Sequence, residues 1–256
     1  VTNSTALSGR SILVTRPTEQ AERLSRSIRA AGGIPFEFPT IEIKPPTDPA
    51  RLEEILARLE HFDLAIFISP TAVARTWDRV AGARSWPETL AVAAVGQGSA
   101  RALSERGFQE VIAPPDQSDS EALLALPALL EVAGKRVVIF RGEGGRELLA
   151  QTLTQRGATV EHAECYRRAR PDVDIAPLLR QHEHHKFAAI ILTSRESLAN
   201  LRAMLGTAWD LFKTVPVFVS HERIADAARE QGMNSVHVAP GGNAGIMQAM
   251  IKFFQS

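Results

Sequence analysis

One stretch carries the chain's only tyrosine and its only cysteine: Glu164-Cys165-Tyr166-Arg167-Arg168-Ala169-Arg170-Pro171. A phenol can donate or accept a hydrogen bond, and the side chains that follow it are basic. Pro171 forces the residue before it into extended backbone. The stretch therefore reads either as an exposed strand with basic side chains in water, or as a strap between two lobes that carries the phenol into a cleft. Cys165 could serve as a nucleophile, but the nearby histidine, His162, lies three residues away and so on the opposite face of a strand. Cys165 is expected to pack.

A second set of residues recurs where apolar runs end. These ends are Arg16-Pro17-Thr18, Ser69-Pro70-Thr71, Gly96-Gln97-Gly98-Ser99, Ser118-Asp119-Ser120, Arg141-Gly142-Glu143-Gly144-Gly145, Thr193-Ser194-Arg195, Ser220-His221 and Gly241-Gly242-Asn243. Free N–H groups at helix starts bind carboxylates or phosphates without any net protein charge. Each end alone is explained as a helix cap. Gathered at one cleft, they would suit a ligand with many anionic groups. Other motifs are thinner. Gly96-Gln97-Gly98 opens a helix after a strand, but Arg101 stands where a dinucleotide loop has its third glycine. His182-Glu183-His184-His185 reads as a solvated linker rather than a metal site. No acceptor aspartate stands at the strand ends Ser69 and Ser194.

The elements that must hold these residues alternate. Ser11–Thr15, Ile34–Phe38, Leu64–Ile68, Leu90–Val95 and Val111-Ile112 read as strands, and helices fall between them at Pro17–Ala31, Arg51–Glu60, after Ser69 and after Gly96. A further helix is expected from Ser118 to Glu131. The pattern then restarts in register. Residues 125 apart match at Arg16 and Arg141, Gly32 and Gly157, Phe62 and Phe187, Ser69 and Ser194, Gly107 and Gly232, and Pro115 and Pro240. This is a tandem duplication of a β/α unit, hence parallel sheets with helices on both faces and a flavodoxin-like strand order. It would split the chain near Gly134. Tyr166 falls opposite Ile41, so the phenol is an addition to the repeated scaffold.

The whole chain sets bounds. Its 256 residues suit one large domain or two ordinary ones, with 45% apolar and 23% charged residues. A formal net charge of zero gives no field for nucleic acid or an anionic membrane. A single cysteine fits a reducing compartment, and residues 1–9 lack the basic and apolar regions of a secretory signal. No apolar run is long enough to span a bilayer. The expectation is a cytoplasmic protein with residues 1–9 as a loose tail.

Taken together, Leu13-Val14-Thr15-Arg16-Pro17, Phe67-Ile68-Ser69-Pro70-Thr71-Ala72, Val95-Gly96-Gln97-Gly98-Ser99-Ala100, Ser118-Asp119-Ser120-Glu121-Ala122-Leu123 and Arg141-Gly142 followed by Gly157 and Cys165-Tyr166-Arg167 give the chain a likeness. From about Gly9 onward it resembles the uroporphyrinogen-III synthase family. The resemblance implies an α/β fold of two flavodoxin-like parallel-sheet lobes joined by a two-stranded β-ribbon. One lobe would hold residues 1–38 and 170–256 and the other 42–165, with 38–41 and 165–169 as the ribbon. It implies a cofactor-free, metal-free lyase of tetrapyrrole (porphyrin, heme) biosynthesis. The reaction closes hydroxymethylbilane to uroporphyrinogen III, with loss of water and inversion of ring D through a spiro intermediate, in the cleft between the lobes. The substrate's eight carboxylates suit the anion-seeking helix starts. Tyr166 would be the catalytic side chain. Arg16, Ser69, Thr71, Gly96, Ser99, Ser118, Arg141, Gly142, Thr193, Ser194, Ser197 and Ser220 would contact substrate. The protein would act as a monomer, with transient contact to hydroxymethylbilane synthase as a further expectation. His221-Glu222-Arg223-Ile224 departs from the Gly-Pro-Thr-Thr often found there in the family. The competing readings are a two-lobed sensor or binder of a polyanion and a nucleotide-using α/β enzyme.

Overall fold

The computed structural model describes residues 6–80, 86–115 and 119–255. In chain order its elements are β1 (Ser11–Val14), α1 (Thr18–Ala30), β2 (Ile34–Glu37), β3 (Glu42–Lys44), α2 (Pro49–Leu56), β4 (Leu64–Phe67), α3 (Pro70–Val80), β5 (Ala91–Ala94) and α4 (Gln97–Ser104). There follow α5 (Ser120–Leu124), α6 (Pro127–Leu130), β6 (Arg136–Gly142), α7 (Leu148–Gln155), β7 (Thr159–Ala169) and α8 (Ala176–His184). The chain ends with β8 (Phe187–Leu192), α9 (Arg195–Leu205), β9 (Val217–Val219), α10 (Glu222–Glu230), β10 (Val236–Val238) and α11 (Gly242–Gln255).

Two compact units result. Unit 1 combines Val1–Glu42 with Ala169–Ser256, and unit 2 is Ile43–Arg168. The division is therefore not at Gly134, where the duplication alone would put it. The sheets show why. Unit 1 orders its strands β10-β9-β8-β1-β2, all neighbours parallel. Unit 2 orders them β3-β7-β6-β4-β5, with β7-β6-β4-β5 parallel and Ile112 bridging to Ala93 beyond β5. Shifted by the 125-residue repeat, β1, β2, β8 and β9 of unit 1 correspond to β6, β7, β4 and β5 of unit 2. Each unit thus takes the opening β-α-β of one repeat and the remainder of the other. The repeats have exchanged halves, and both sheets have a flavodoxin-like order.

Each sheet is covered on both faces, so its middle strands are apolar without alternation. β1 and β4 are buried at all four positions. In unit 1 one face packs Leu13, Ile190, Leu192, Val217 and Val219 against α9 and α10 residues such as Leu198, Leu201 and Ile224. The other packs Ile12, Val14, Ile191 and Phe218 against Leu24, Ile28, Ile246 and Met250 of α1 and α11. In unit 2 Phe67, Val92, Val138 and Phe140 face Leu52, Ile55, Val73 and Leu103. Ile66, Val137 and Ile139 face Leu123, Leu129, Leu149 and Leu153.

Several local expectations change. The tail is not loose throughout: Leu7 is fully buried and its N–H bonds Ala31 O at 3.2 Å. The helix expected to run to Glu131 breaks into α5 and α6, because Pro127 has no N–H to continue it. Arg51–Glu60 is shorter as an α-helix, ending at Leu56. Val111-Ile112 contributes a bridge rather than a strand. The first crossing segment becomes a strand at Glu42–Lys44, after Phe38–Ile41. Phe38 and Thr40 are still tied to β1's end through Phe38 N to Val14 O, 2.9 Å, and Thr40 N to Thr15 O, 3.1 Å. On the other crossing, residues 165–169 are the last part of the 11-residue β7. The histidine run 182–185 is not a solvated linker. His182 lies in the last turn of α8, is buried, and stacks 4.4 Å from Phe212. Among the described residues no helix is long and apolar enough to cross a membrane.

Candidate functional site

In unit 2 the carboxyl ends of β7, β6, β4 and β5 lie side by side, and they bring Tyr166, Arg141-Gly142, Ser69 and Gly96 to one end of the sheet. Parallel α/β sheets bind ligands at this end. Ser69 ends β4 and starts α3; its Oγ accepts from Ala72 N at 3.1 Å. The same oxygen lies 3.1 Å from Tyr166 Oη. If Ser69 donates to the phenol oxygen, the phenol proton is left free for a ligand; if Tyr166 donates, its lone pairs are.

The tyrosine's seat is built by a register shift. Arg141 pairs with Glu164 but Gly142 pairs with Tyr166, so one residue of β7 is skipped. A β-bulge re-aims side chains at a strand end, and here Cys165 and Tyr166 are both buried in succession. Glu143 N fastens to Tyr166 O at 2.8 Å. The ring then lies on Gly142: a Cβ there would stand 2.7 Å from two ring carbons and 3.1 Å from the phenol oxygen. Only glycine fits. The reading of this stretch as an exposed strand does not hold at the tyrosine: Tyr166 is 3% exposed and packs with Phe140 and Val73. Cys165 is a packing residue. Its Sγ meets Thr76 Oγ1 at 3.2 Å and burial pushes the thiol up to about 12, far from a thiolate at neutral pH.

A pocket of about 270 Å3 adjoins this seat, lined by Tyr166, Gly142, the 143–146 loop, Arg141, His162 and Arg168 among others. Arg141 is nearly sealed from solvent and fully engaged. It reaches Glu147 Oε1 at 2.8 Å, Gly142 O at 3.3 Å, Gly144 O and His162 Nε2 at 3.4 Å. It holds the glycine loop in place. Judged only against Cys165, His162 falls on the far face and drops out of the chemistry. The bulge breaks that alternation: Tyr166 packs with Ala163 and Cys165 yet lines the same pocket as His162, and no spacing in the sequence announces it. Thr71 is half-buried at the start of α3. Gly96 caps α4 in extended backbone, and Ser99, 3% exposed, bonds its N–H back to Gly96 O. Ser118 lies outside the described residues.

Unit 1 gathers the others at the corresponding end of its sheet: Arg16 after β1, Thr193 and Ser194 after β8, and Ser220 after β9. Ser194 caps α9, its Oγ accepting from Ser197 N at 3.0 Å. Arg16 Nε is shut off from water with no hydrogen-bond partner among the described residues, and burial holds this guanidinium below the usual arginine range. A buried unpaired donor is expensive unless an anion meets it. Ser197 is turned inward. Its Oγ meets Thr15 Oγ1 at 2.9 Å and Thr40 Oγ1 at 2.7 Å, while Thr15 and Thr40 donate to Ile191 O and Thr15 O at 2.7 and 3.1 Å. Sequence reasoning misses this trio.

Known proteins share this pattern. A profile described as "Uroporphyrinogen-III synthase HemD" matches residues 22–247. The uroporphyrinogen-III synthase of Escherichia coli K12 is 36% identical over 246 residues, 94% of this chain and 99% of that one. The chain belongs to the uroporphyrinogen-III synthase family. The Salmonella typhimurium member is also 36% identical, over 94% of this chain and 99% of its own. Among solved structures, a mutant family member from the extremely thermophilic bacterium Thermus thermophilus superposes with a TM-score of 0.61 at 18% identity, over 96% of this chain and 99% of that one. The Helicobacter pylori 26695 member gives 0.58 at 16% identity, over 94% and 98%. These support the two-lobed α/β fold. Among the described residues no three histidine, cysteine or acidic side chains stand together as a metal site.

Proposed function

We propose that the protein carries out its family's reaction as a cyclising lyase (EC 4.2.1.75), closing hydroxymethylbilane to uroporphyrinogen III. Water leaves the hydroxymethyl group of the first ring. The carbon so exposed is attacked from the substituted position of ring D, and the spiro intermediate rearranges to the inverted ring. The protein's work in such a step is orientation, holding a flexible chain so that the less obvious carbon meets the electrophile.

Tyr166 donates to the departing hydroxyl, and Ser69 and Gly142 hold its ring in position. Arg16, whose Nε has no partner among the described residues, meets a carboxylate at the carboxyl end of unit 1's sheet, and the capped starts of α3, α4 and α9 offer N–H groups to others. The observation that carries the reading is the seat of Tyr166: a β-bulge, a glycine whose missing side chain admits the ring, and a serine within hydrogen-bond reach of the phenol. Isomer analysis tests it. With hydroxymethylbilane the protein forms type III product faster than the spontaneous closure to type I. Type I product alone, from folded protein, contradicts it and leaves a binder of tetrapyrroles as the reading. A monomer working in the cytoplasm, in transient contact with hydroxymethylbilane synthase, completes the proposal.

A further inference from the structure

His162 has no part in the reading above, yet it lines the pocket beside Tyr166. Arginine can only donate, so the 3.4 Å contact from Arg141 Nη1 makes His162 Nε2 an acceptor and puts the ring's proton on Nδ1. A second partner waits for the other protonation state: Glu147 Oε2 is 3.7 Å from the same Nε2 while Oε1 holds Arg141. Neutral, His162 accepts from Arg141, as here; a protonated ring would have the Glu147 carboxylate close enough to take its Nε2 proton in a hydrogen bond. What holds it neutral is its half-buried position and the neighbouring guanidinium, with Glu147 and Glu164 pulling the other way. The rest of the pocket's charge is Arg146, bonded to Glu121, together with Arg168 and Glu143, whose carboxylate is bound by Thr47. Three arginines and one glutamate face the pocket itself, two of the arginines being bonded to Glu147 and Glu121, and an anion beside His162 offsets the repulsion that Arg141 imposes on its protonated form.

We propose that this pocket seats one carboxylate arm of the substrate and that His162 takes up a proton as the arm enters. The inference rests on the family reaction for its ligand. Its consequence is reciprocal: if the arm favours protonated His162, protonation favours the arm, so substrate binding tightens on mild acidification. The carboxylates of the substrate stay ionised across that range, which leaves the imidazole as the responsive partner.

KM for hydroxymethylbilane, measured from pH 8 to pH 6 on the full chain, tests this. In the wild type it falls by on the order of fivefold, and in His162→Gln it stays flat. Superimposable profiles, sloping or flat, overturn the proposal. Glu147→Gln, which removes the carboxylate charge beside the ring, moves the wild-type transition to lower pH; an unmoved transition also counts against it. A measurement without variants covers any that fail to fold. In imidazole NMR of the wild type, uroporphyrin III, an octacarboxylate that is not turned over, raises the titration midpoint of one histidine, and no shift in any histidine refutes the inference. Wild type that makes no type III product refutes the family reaction instead, so the two failures are separable.

Discussion

The two units have one strand order and matching repeat positions, yet they are filled differently at the same place. Where unit 1 has Thr15, Thr40 and Ser197, unit 2 has Phe140, Cys165 and Ala72. The first set is a buried hydroxyl trio and the second belongs to an apolar core. Next to them, Ile41 of unit 1 corresponds to Tyr166 of unit 2, and Arg16 to Arg141. The apolar filling and the bulge let unit 2 bring a phenol to the strand end. The hydroxyl trio, with Asn200 Nδ2 donating to Thr40 O at 2.8 Å, instead pins the exit of β2. The arginines part in the same way: Arg141 is saturated by its own loop, whereas Arg16 retains a buried nitrogen with no partner among the described residues. A duplicated scaffold supplies two sheet ends. On the function proposed above, a handful of residue differences makes unit 2 the place of chemistry and unit 1 a place of holding.

Breaking the seat should have the largest effect. Gly142→Ala pushes the Tyr166 ring off its position in the pocket that both residues line, so it withdraws the phenol and also puts the ring where the reacting part of the substrate lies; together these lower kcat by about 100-fold, with KM little changed, and steady-state kinetics read both. Arg16→Gln tests the other unit. It should raise KM by on the order of tenfold, the weight of one charged hydrogen bond, and leave kcat near wild type. Tyr166→Phe keeps the ring and loses the hydroxyl, so kcat drops by about fivefold in a protein whose melting temperature is unchanged. Equal kcat in wild type and Tyr166→Phe would remove the phenol's role.

The smaller effects concern stability alone. Thr40→Val leaves Ser197 and the backbone carbonyl of Thr15 short of a partner, at a cost of about 1–3 kcal/mol, seen in urea unfolding. His182 gives a pH signature to unit 1. Its Nδ1 accepts from Phe187 N at 3.3 Å, so Nε2 carries the proton toward Leu211 O at 3.2 Å. Burial first, then Lys186, lowers its folded pKa from the ordinary histidine value of 6.5. The unfolded chain therefore binds the proton more readily. This contribution to stability is complete above pH 6.5 and is lost progressively as pH falls below it. His182→Phe should flatten that part of the stability profile.

Much of this is legible in residues. The repeat offset, the strand ends and the lone tyrosine can be read because glycine, proline and apolar runs report local backbone directly. The exchange of halves cannot, since either pairing of β-α-β pieces satisfies the same local pattern, and only the family resemblance points to it. The seat of Tyr166 is hidden because a bulge is a register event between β6 and β7, invisible in either strand alone. Thr15, Thr40 and Ser197 are unreadable as a trio: the Thr40–Ser197 contact spans 157 residues. In sequence Ser197 looks like a helix-start hydroxyl open to a ligand, and packing turns it inward.

The division of labour between the units is tested most directly by single-turnover rates at saturating hydroxymethylbilane for Gly142→Ala and Arg16→Gln. The account predicts slow ring closure in Gly142→Ala and a wild-type rate in Arg16→Gln once its weaker binding is saturated. A Gly142→Ala protein that closes the ring at the wild-type rate, or an Arg16→Gln protein slowed as much, would contradict it.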